Sequence, residues 1–141
     1  MNVELHNEFE YRTLIAPVAA VTNDTAAVSE IIDLANCIGC ELVCVLGTNA
    51  DTDMTRTVLV EHDDAAGFGT KVAVPDSDLV GTEAGAATNF SHDKKTFKIG
   101  YLGMKRYIRL TVTPADNTGN EFIAGIAVLR KRKGPQSSQV N

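Results

Sequence analysis

The sequence predicts an all-β protein, a single antiparallel β-sandwich domain of jelly-roll-like form, and three observations support this fold class. The first is alternation of apolar and polar residues with a period of two, as a strand buried on one face requires. The second is a series of turn-forming clusters between the alternating runs: PADNTGN, GTNADTD and DDAAGFG. The third is a length of 141 residues, 44% of them hydrophobic, which is enough to bury a core in one domain. Short strands separated in this way are typical of sandwiches and barrels.

Four runs are predicted to be strands, and two of them show the alternation most clearly. In YIRLTVT, Ile108, Leu110 and Val112 share one face, and in TVLVEH, Val58 and Val60 do the same. TFKIGYLG alternates in the same way. FIAGIAVL is apolar on both faces with small residues interleaved, which indicates a closely packed central strand.

The secondary structure of two earlier segments is predicted less directly. FEYRTLIAPVAAV is predicted to be an N-terminal strand that Pro17 ends or confines to a sheet edge, because proline has no N–H to donate to a neighbour. In TAAVSEIIDLANC, Val28, Ile31 and Ile32 keep helical spacing, yet Val28, Ile32 and Leu34 also fit a strand. This segment stays open, with a preference for a strand or a short helical turn.

Composition divides the chain into three parts. We expect an N-terminal arm over residues 1–12, the sandwich domain over 13–129, and a basic and polar C-terminal tail over 130–141. The arm either reaches a neighbouring molecule or is a disordered terminus. The tail begins with four consecutive basic residues, which favour a solvated flank over a small docking point for an anionic partner.

Three cysteines, Cys37, Cys40 and Cys44, lie in CIGCELVC and raise the question of a metal or redox site. A structural zinc site needs a fourth ligand, usually in a second close pair, and neither His62 nor His92 belongs to such a pair. A redox Cys-x-x-Cys motif is followed by a helix, whereas ELVCVLG alternates as a strand with Cys40 and Cys44 on one face. We therefore predict that these cysteines pack in the core as small hydrophobic side chains.

The remaining polar residues predict no catalytic, cofactor-binding or metal-binding residue, and no cofactor. His62 precedes Asp63 and His92 precedes Asp93, but neighbours in a strand point to opposite faces, so adjacency does not make a base and its orienting carboxylate. The carboxylates of DTD, EHDD and DSD do not follow the order of a calcium-binding EF-hand, and turns explain most of them. If end loops make contacts, the candidates are Asp76, Asp78, Asp116 and Asn117.

The net charge and the first ten residues limit the kinds of partner we expect. A net charge of −5 argues against nucleic-acid binding, which requires concentrated Lys and Arg to neutralise phosphates. Glu4, Glu8 and Glu10 stand where a secretory signal would have a basic region, and no apolar run approaches the roughly 20 residues that span a bilayer. We expect a soluble protein made in a reducing cytoplasm, with neither a nucleic-acid nor a membrane partner.

Three stretches, TVLVEHDD, VPDSDLVGTEAGA and KTFKIGYLGMKRYIRLTVTPADNTGNEFIAGIAVL, together resemble a family of small structural proteins of tailed bacteriophages, of the head-decoration or minor-capsid type. The resemblance covers roughly Ile32 to Leu129, and IGYLGMKRYIRLTVTP and NTG are its most recognisable parts. It implies a virion protein on the capsid surface, assembled in the cytoplasm of a bacterial host, with the major capsid protein as its partner.

The resemblance and the lack of a catalytic motif lead us to expect a decoration or cement protein that is not an enzyme. It would stabilise the icosahedral head by bridging major capsid subunits, as a homo-oligomer with a trimer favoured, because symmetric copies gain avidity. Two alternatives stay open: a head-tail connector or tail component, and a carbohydrate-binding module on the same sandwich. Against the latter, the chain has no Trp and three Tyr, whereas sugar binding generally uses aromatic platforms.

Overall fold

A computed structural model of the protein describes residues 5–132, which form an antiparallel β-sandwich and confirm the predicted fold class. The strands are β1 (Phe9–Ile15), β2 (Ala27–Val28), β3 (Ile32–Asp33), β4 (Cys37–Leu46), β5 (Thr55–Asp63), β6 (Val72–Ala73), β7 (Leu79–Val80), β8 (Thr88–Asn89), β9 (Thr96–Tyr101), β10 (Tyr107–Ala115) and β11 (Ile123–Lys131). The described helical segments are α1 (Glu83–Ala86) and two 3-10 turns, Asp76–Asp78 and Phe90–His92. Within residues 5–132, no helix has the length and hydrophobicity needed to cross a membrane.

The strands form two sheets. The five-stranded sheet has the order β1-β11-β4-β9-β7, and the second sheet has the order β2-β10-β5-β6. In the second sheet, β3 also pairs with β10 and β8 also pairs with β5. The pairs are antiparallel, and long strands occupy interior positions in both sheets. The many short strands lie at the margins, where they leave little unpaired edge.

The core lies between the two inward faces. Leu42 of β4 and Leu129 of β11 belong to one buried cluster with Val60 of β5 and Leu110 of β10, and each of these side chains is at most 1% exposed. Burying an aliphatic side chain of this size stabilises the fold by about 1.5–3 kcal/mol. The sandwich is therefore held by hydrophobic packing between the sheets.

The strands predicted from alternation are confirmed in position and in facing. On β10, Ile108, Leu110 and Val112 are buried, as the period of two requires. The strand that contains FIAGIAVL, β11, lies between β1 and β4 and is interior as predicted. The edge strand β1 ends at Ile15, two residues before Pro17.

The segment TAAVSEIIDLANC, which the sequence left open, is extended. It contributes β2 and β3, two short strands that both pair with β10, with Val28 opposite Thr111. Between them, the Ser29 hydroxyl accepts a hydrogen bond from the Leu110 N–H at 3.0 Å, while the Ser29 N–H donates to the Leu110 carbonyl at 2.8 Å. This side-chain bond to β10 replaces a ladder bond, so tertiary contacts override the helical spacing.

The structure corrects two expected boundaries. Phe9–Arg12 were assigned to an arm, but they pair with β11 and belong to the sheet. Arg130 and Lys131 were assigned to a tail, but they are the last residues of β11, and Lys131 forms an ion pair with the buried Glu10. Residues 1–4 of the expected arm and 133–141 of the expected tail lie outside the described residues.

Candidate functional site

The outward face of the five-stranded sheet is apolar along its interior strand β11. The successive outward positions on and just before this strand are Phe122, Ala124, Ile126 and Val128, and the residues between them are buried. Phe122 is 47% exposed and Ile126 is 43% exposed. An antiparallel sheet with one face in water normally carries polar residues at such positions. The apolar side chains are therefore not required by the sandwich itself.

Strand register extends this stripe to the neighbouring strands. Tyr11 of β1 lies opposite Val128, and Val43 and Val45 of β4 lie opposite outward residues of β11. Tyr11 and Val45 are each about half exposed. We call these seven side chains the apolar face: Tyr11, Val43, Val45, Phe122, Ala124, Ile126 and Val128.

The charges around the apolar face pair with one another. Lys98 of β9, opposite Val43, forms an ion pair with Glu41 at 3.3 Å. Arg130 lies 3.7 Å from a carboxylate oxygen of Glu8. Such exposed pairs add little stability, typically less than ~1 kcal/mol. Each pair joins a cation and a carboxylate beside the apolar face, so neither pair adds net charge to its border.

The outward face of the second sheet provides an internal comparison and is more polar. Thr57, Thr111 and Thr113 are outward residues of β5 and β10, and Arg109 donates to Glu61 on the same face at 2.7 Å. Its exposed large apolar side chains include Val28 and Leu59. The continuous apolar stripe is therefore a property of one sheet.

A cleft of about 560 Å³ opens at the end of the sandwich between segments 34–40 and 101–106, and we call it the end cleft. Three exposed apolar side chains line it: Ile38, Leu102 and Met104, which is 97% exposed. Its charged lining residues are all cationic: Lys105, Arg106 and Arg132. A volume of this size is typical of clefts that bind ligands.

Two of the three cations in the end cleft are held by carboxylates outside its lining. Arg106 donates twice to Asp33, at 2.9 and 2.8 Å, and this pairing lowers the pKa of Asp33 to about 2. Lys105 Nζ donates to Asp64 at 3.2 Å. Arg132 forms no ion pair with another residue in the described range 5–132. Its guanidinium is the positive group best placed to receive an anion.

Behind the end cleft, Tyr101 joins the two sheets through a hydrogen bond to His62. The Tyr101 hydroxyl lies 2.9 Å from His62 Nδ1, and it also accepts a hydrogen bond from the Lys105 N–H at 3.1 Å. Burial, followed by the charge of Lys105, lowers the pKa of His62. A neutral His62 with Nδ1 unprotonated can accept a hydrogen bond from the Tyr101 hydroxyl. The two residues are 39 positions apart, and nothing in the sequence around His62 indicated this contact.

The cysteines lie where strand alternation placed them. Cys40 and Cys44 are 9% and 0% exposed and face the core, and burial raises the pKa of each thiol to about 12. Cys37 is half-buried beside the end cleft, and burial raises its pKa as well. Among residues 5–132, no three His, Cys, Asp or Glu side chains converge as possible metal ligands.

The four loop residues suggested as contact candidates are not brought together. Asp76 and Asp78 lie in a 3-10 turn near the end cleft, whereas Asp116 and Asn117 follow β10 at the opposite end. Asn117 is only 4% exposed: its side chain accepts from Asn49 Nδ2 at 3.1 Å and donates to two carbonyls in segment 21–23. The suggestion for Asn117 is therefore wrong, because its side chain is buried and its hydrogen bonds stabilise the loop that contains it.

The two neighbouring histidine and aspartate pairs serve separate local structures. The Asp63 carboxylate accepts hydrogen bonds from Ala65 and Thr70 in the loop after β5, and it forms no hydrogen bond with His62 in the described structure. His92 lies 2.8 Å from the Asn89 side chain in a 3-10 turn, while Asp93 accepts from a backbone N–H of the loop after β4. Neither pair forms the histidine–carboxylate contact that general-base catalysis would use.

Comparison with known proteins gives structural similarities only. No protein-family model matches the chain, and no curated protein matches it. One similar structure is described as the xylan-binding domain from CBM 22: 13% identity, TM-score 0.44, 90% of this chain and 89% of that chain covered. A family two carbohydrate esterase from Cellvibrio japonicus has 8% identity and a TM-score of 0.40, covering 92% and 36%. The CBM22-1 and GH10 modules of Clostridium thermocellum xylanase 10B, complexed with xylohexaose, have 13% identity and a TM-score of 0.41, covering 94% and 28%.

The descriptions of the first and third structures name CBM22 modules, and carbohydrate-binding modules were one of the alternatives expected from the sequence. None of the three structures is described as a virion protein. At such low identity and TM-score, the similarity does not identify a ligand for this chain. The ligand must be argued from the surfaces described above.

Proposed function

We propose that this protein is a non-catalytic structural module that binds a protein shell through its apolar face, as a decoration protein on a phage head. The observation that carries this proposal is the run of four apolar outward side chains, Phe122, Ala124, Ile126 and Val128, on and just before the interior strand β11. Contiguous exposed apolar surface on a small protein marks an interaction site. The resemblance of the sequence to small phage structural proteins supplies the kind of partner.

The chemistry of the apolar face favours a protein partner. Its centre consists of aliphatic side chains, and its border charges are already paired, as in Lys98 with Glu41. A partner therefore gains by removing apolar surface from water, at about 25 cal/mol per Å² buried, and needs no counter-charge. A shell that offers many equivalent sites makes such modest contacts effective, because several copies bind together.

The proposal of a non-catalytic role is supported by the groups behind the end cleft. His62 is engaged by Tyr101 in the core, and the thiols of Cys40 and Cys44 have pKa values near 12, far from a nucleophile active at neutral pH. Within residues 5–132, the lining of the end cleft contains cations but no carboxylate to act as a base. The surfaces of this protein therefore favour binding over catalysis.

The experiment is a sedimentation assay with empty heads assembled from the major capsid protein of the phage that encodes this chain. We expect the protein to co-sediment at several hundred copies per head, and Ile126→Glu to abolish binding because it places a charge at the centre of the apolar face. The matched control is Thr113→Glu, the same charge on the outward face of the second sheet. Heads that bind neither protein, or that bind Ile126→Glu as well as the unaltered protein, would refute the proposal.

A polysaccharide bound on the same face is the second candidate. It is favoured by Tyr11 and Phe122, two aromatic side chains that are each 47% exposed on the apolar face, since aromatic rings can stack on sugar rings. The aliphatic residues between them offer no hydrogen bonds to sugar hydroxyls. A glycan array with Tyr11→Ala as the comparison distinguishes the two: binding to xylan or another glycan that Tyr11→Ala removes, without binding to heads, would establish the second candidate.

A further inference from the structure

We infer that the end cleft binds a small amphipathic anion, a compound that carries one carboxylate on an unbranched apolar chain. Its volume of about 560 Å³ lies within the range of small-molecule sites. None of the seven residues of the apolar face lines the cleft, so its ligand does not depend on what that face binds.

Hydrogen bonds and close packing hold the two walls of the end cleft in place. The Leu34 N–H of one wall donates to the Arg106 carbonyl of the other at 2.8 Å. The Lys105 N–H donates to the buried Tyr101 hydroxyl at 3.1 Å. Gly103 lies so near Tyr101 that a Cβ added there would collide with the tyrosine ring. The cleft is therefore pre-formed, which reduces the entropy that a ligand loses in ordering its site.

The apolar part of the lining lies on both walls and is exposed. Ile38 belongs to one wall, Leu102 and Met104 belong to the other, and each is more than half exposed. These side chains are aliphatic or, in Met104, a flexible thioether that adapts to irregular apolar groups. They suit an alkyl chain better than a sugar ring, because stacking on a sugar needs an aromatic ring. A chain between the walls would lose apolar surface to both of them.

The cations of the lining differ in how they are paired. Arg106 and Lys105 each donate to a carboxylate outside the lining. Arg132 is exposed and forms no ion pair with a carboxylate within the described range 5–132. Its backbone N–H donates to the Asn36 carbonyl at 2.9 Å, which fixes its main chain beside one wall. A guanidinium binds a carboxylate through two parallel hydrogen bonds, so Arg132 is the residue that receives the anion.

The balance of charge at the end cleft selects a single anionic group. The lining contains three cations and no carboxylate, although the whole chain has a net charge of −5. With two of the three cations already paired, the cleft cannot neutralise the repeated phosphates of a nucleic acid. One unpaired cation bordered by exposed apolar side chains matches a ligand with one carboxylate and one apolar chain.

The test is isothermal titration calorimetry of the full chain at pH 8 and low salt, with hexanoate, octanoate and decanoate below their micelle concentrations. We expect one molecule to bind per chain, with an affinity that rises by about twofold to fourfold for each added CH₂ group. Acetate, which has the carboxylate without the chain, should not bind measurably. The neutral 1-octanol should bind roughly tenfold more weakly than octanoate, because it gives Arg132 no charge to pair with.

Substitutions in the lining test the assignment of the two ends of the ligand. Arg132→Gln should weaken decanoate binding roughly tenfold, and Arg132→Lys should keep part of the lost affinity. Met104→Glu should abolish binding, because it places a negative charge in the apolar part of the cleft. The matched controls are Arg130→Gln, an exposed arginine outside the lining, and Val18→Glu, an exposed apolar residue far from it. Both controls should keep the affinity of the unaltered protein.

Alkylation of Cys37 gives the location of the bound molecule by a second measurement. This half-buried thiol belongs to the lining, so saturating decanoate should slow its alkylation several-fold. The inference would be overturned if no alkanoate binds saturably, or if affinity does not change with chain length. Binding that Ile126→Glu removes while Arg132→Gln and Met104→Glu keep it would also overturn the inference, since the ligand would then lie on the apolar face.

Discussion

The hydroxyl of Tyr101 lies 2.9 Å from Nδ1 of His62, and this hydrogen bond is a polar bridge between the two sheets of the sandwich. Both residues are at most 5% exposed. The same hydroxyl oxygen accepts a hydrogen bond from the Lys105 N–H, in the loop 102–106 that forms one wall of the end cleft. One phenol therefore fixes both the inter-sheet contact and the shape of the cleft wall.

Removing this hydroxyl should destabilise the protein. In Tyr101→Phe, His62 Nδ1 and the Lys105 N–H both lose their partner, and a buried polar group left unsatisfied costs about 1–3 kcal/mol. Urea denaturation at pH 7.5 measures the loss. Tyr107→Phe is the control, because that tyrosine lies at the start of β10 and is only partly buried. Equal stability of Tyr101→Phe and the unaltered protein would show that the bridge contributes nothing.

The stability should depend on pH through His62. Burial and the nearby Lys105 hold the pKa of His62 below its ordinary value of 6.5, so the unfolded chain binds the proton more readily than the folded one. The stability that neutral His62 contributes is fully present above pH 6.5, and it is lost as the pH falls below 6.5 towards the folded-state pKa of His62. Asp33, with a pKa near 2, stays ionised throughout this range.

Urea denaturation between pH 7.5 and pH 5 tests this dependence. The unaltered protein should lose stability below pH 6.5, and His62→Gln should flatten that part of the curve. His92→Gln should keep the full slope, because His92 is an exposed residue in a 3-10 turn. If His62→Gln keeps the slope and His92→Gln loses it, the assignment to His62 is wrong.

A buried ion pair between Arg56 and Glu121 should be the most sensitive polar contact. The two side chains are 1% and 2% exposed, and Arg56 also donates to the Asn89 carbonyl at 3.1 Å. Replacing one partner leaves the other charge buried and unpaired, which costs roughly 3–5 kcal/mol. Arg56→Met and Glu121→Gln should each lower the free energy of unfolding by that amount.

The exposed pair of Lys98 and Glu41 provides the comparison for that measurement. Lys98 is 69% exposed, so Lys98→Met should change stability by less than ~1 kcal/mol. The double replacement Arg56→Met with Glu121→Gln should cost less than the two single losses added together, because no lone charge remains buried. Strictly additive losses would mean that the two side chains do not act as a pair.

Local alternation predicted most of the fold, because a period of two is visible in any strand with one buried face. It placed Cys40 and Cys44 on the inward side of β4 and Ile108 on the inward side of β10. It could not decide the segment of β2 and β3. There the outcome depends on Ser29 bonding to Leu110, 81 residues away, and no local window contains that contact.

The apolar face was visible in the sequence, but as a pattern that also had another interpretation. FIAGIAVL is apolar at both alternating sets of positions, and we predicted a closely packed central strand. The structure places β11 inside the sheet but covers only one face, so Ile126 and its outward neighbours remain exposed. Apolar residues on both faces therefore indicated either a third layer or a binding surface. No sequence pattern indicated the end cleft, because segments 34–40 and 101–106 come together only in the folded chain.

The three cysteines should differ in reactivity according to their burial. At pH 8, a thiol with a pKa near 12 is ionised to the order of 10⁻⁴, so Cys40 and Cys44 should react with a disulfide reagent only after unfolding. Cys37, half-buried at the end cleft, should react first in the folded protein. Peptide mapping after alkylation, with and without urea, identifies the modified residue, and Cys37→Ser should remove the fast reaction.

A chelator should leave the melting temperature unchanged if the thiols only fill the core. Equal labelling of all three cysteines in the folded protein, or unfolding on chelation, would contradict their role as packing residues.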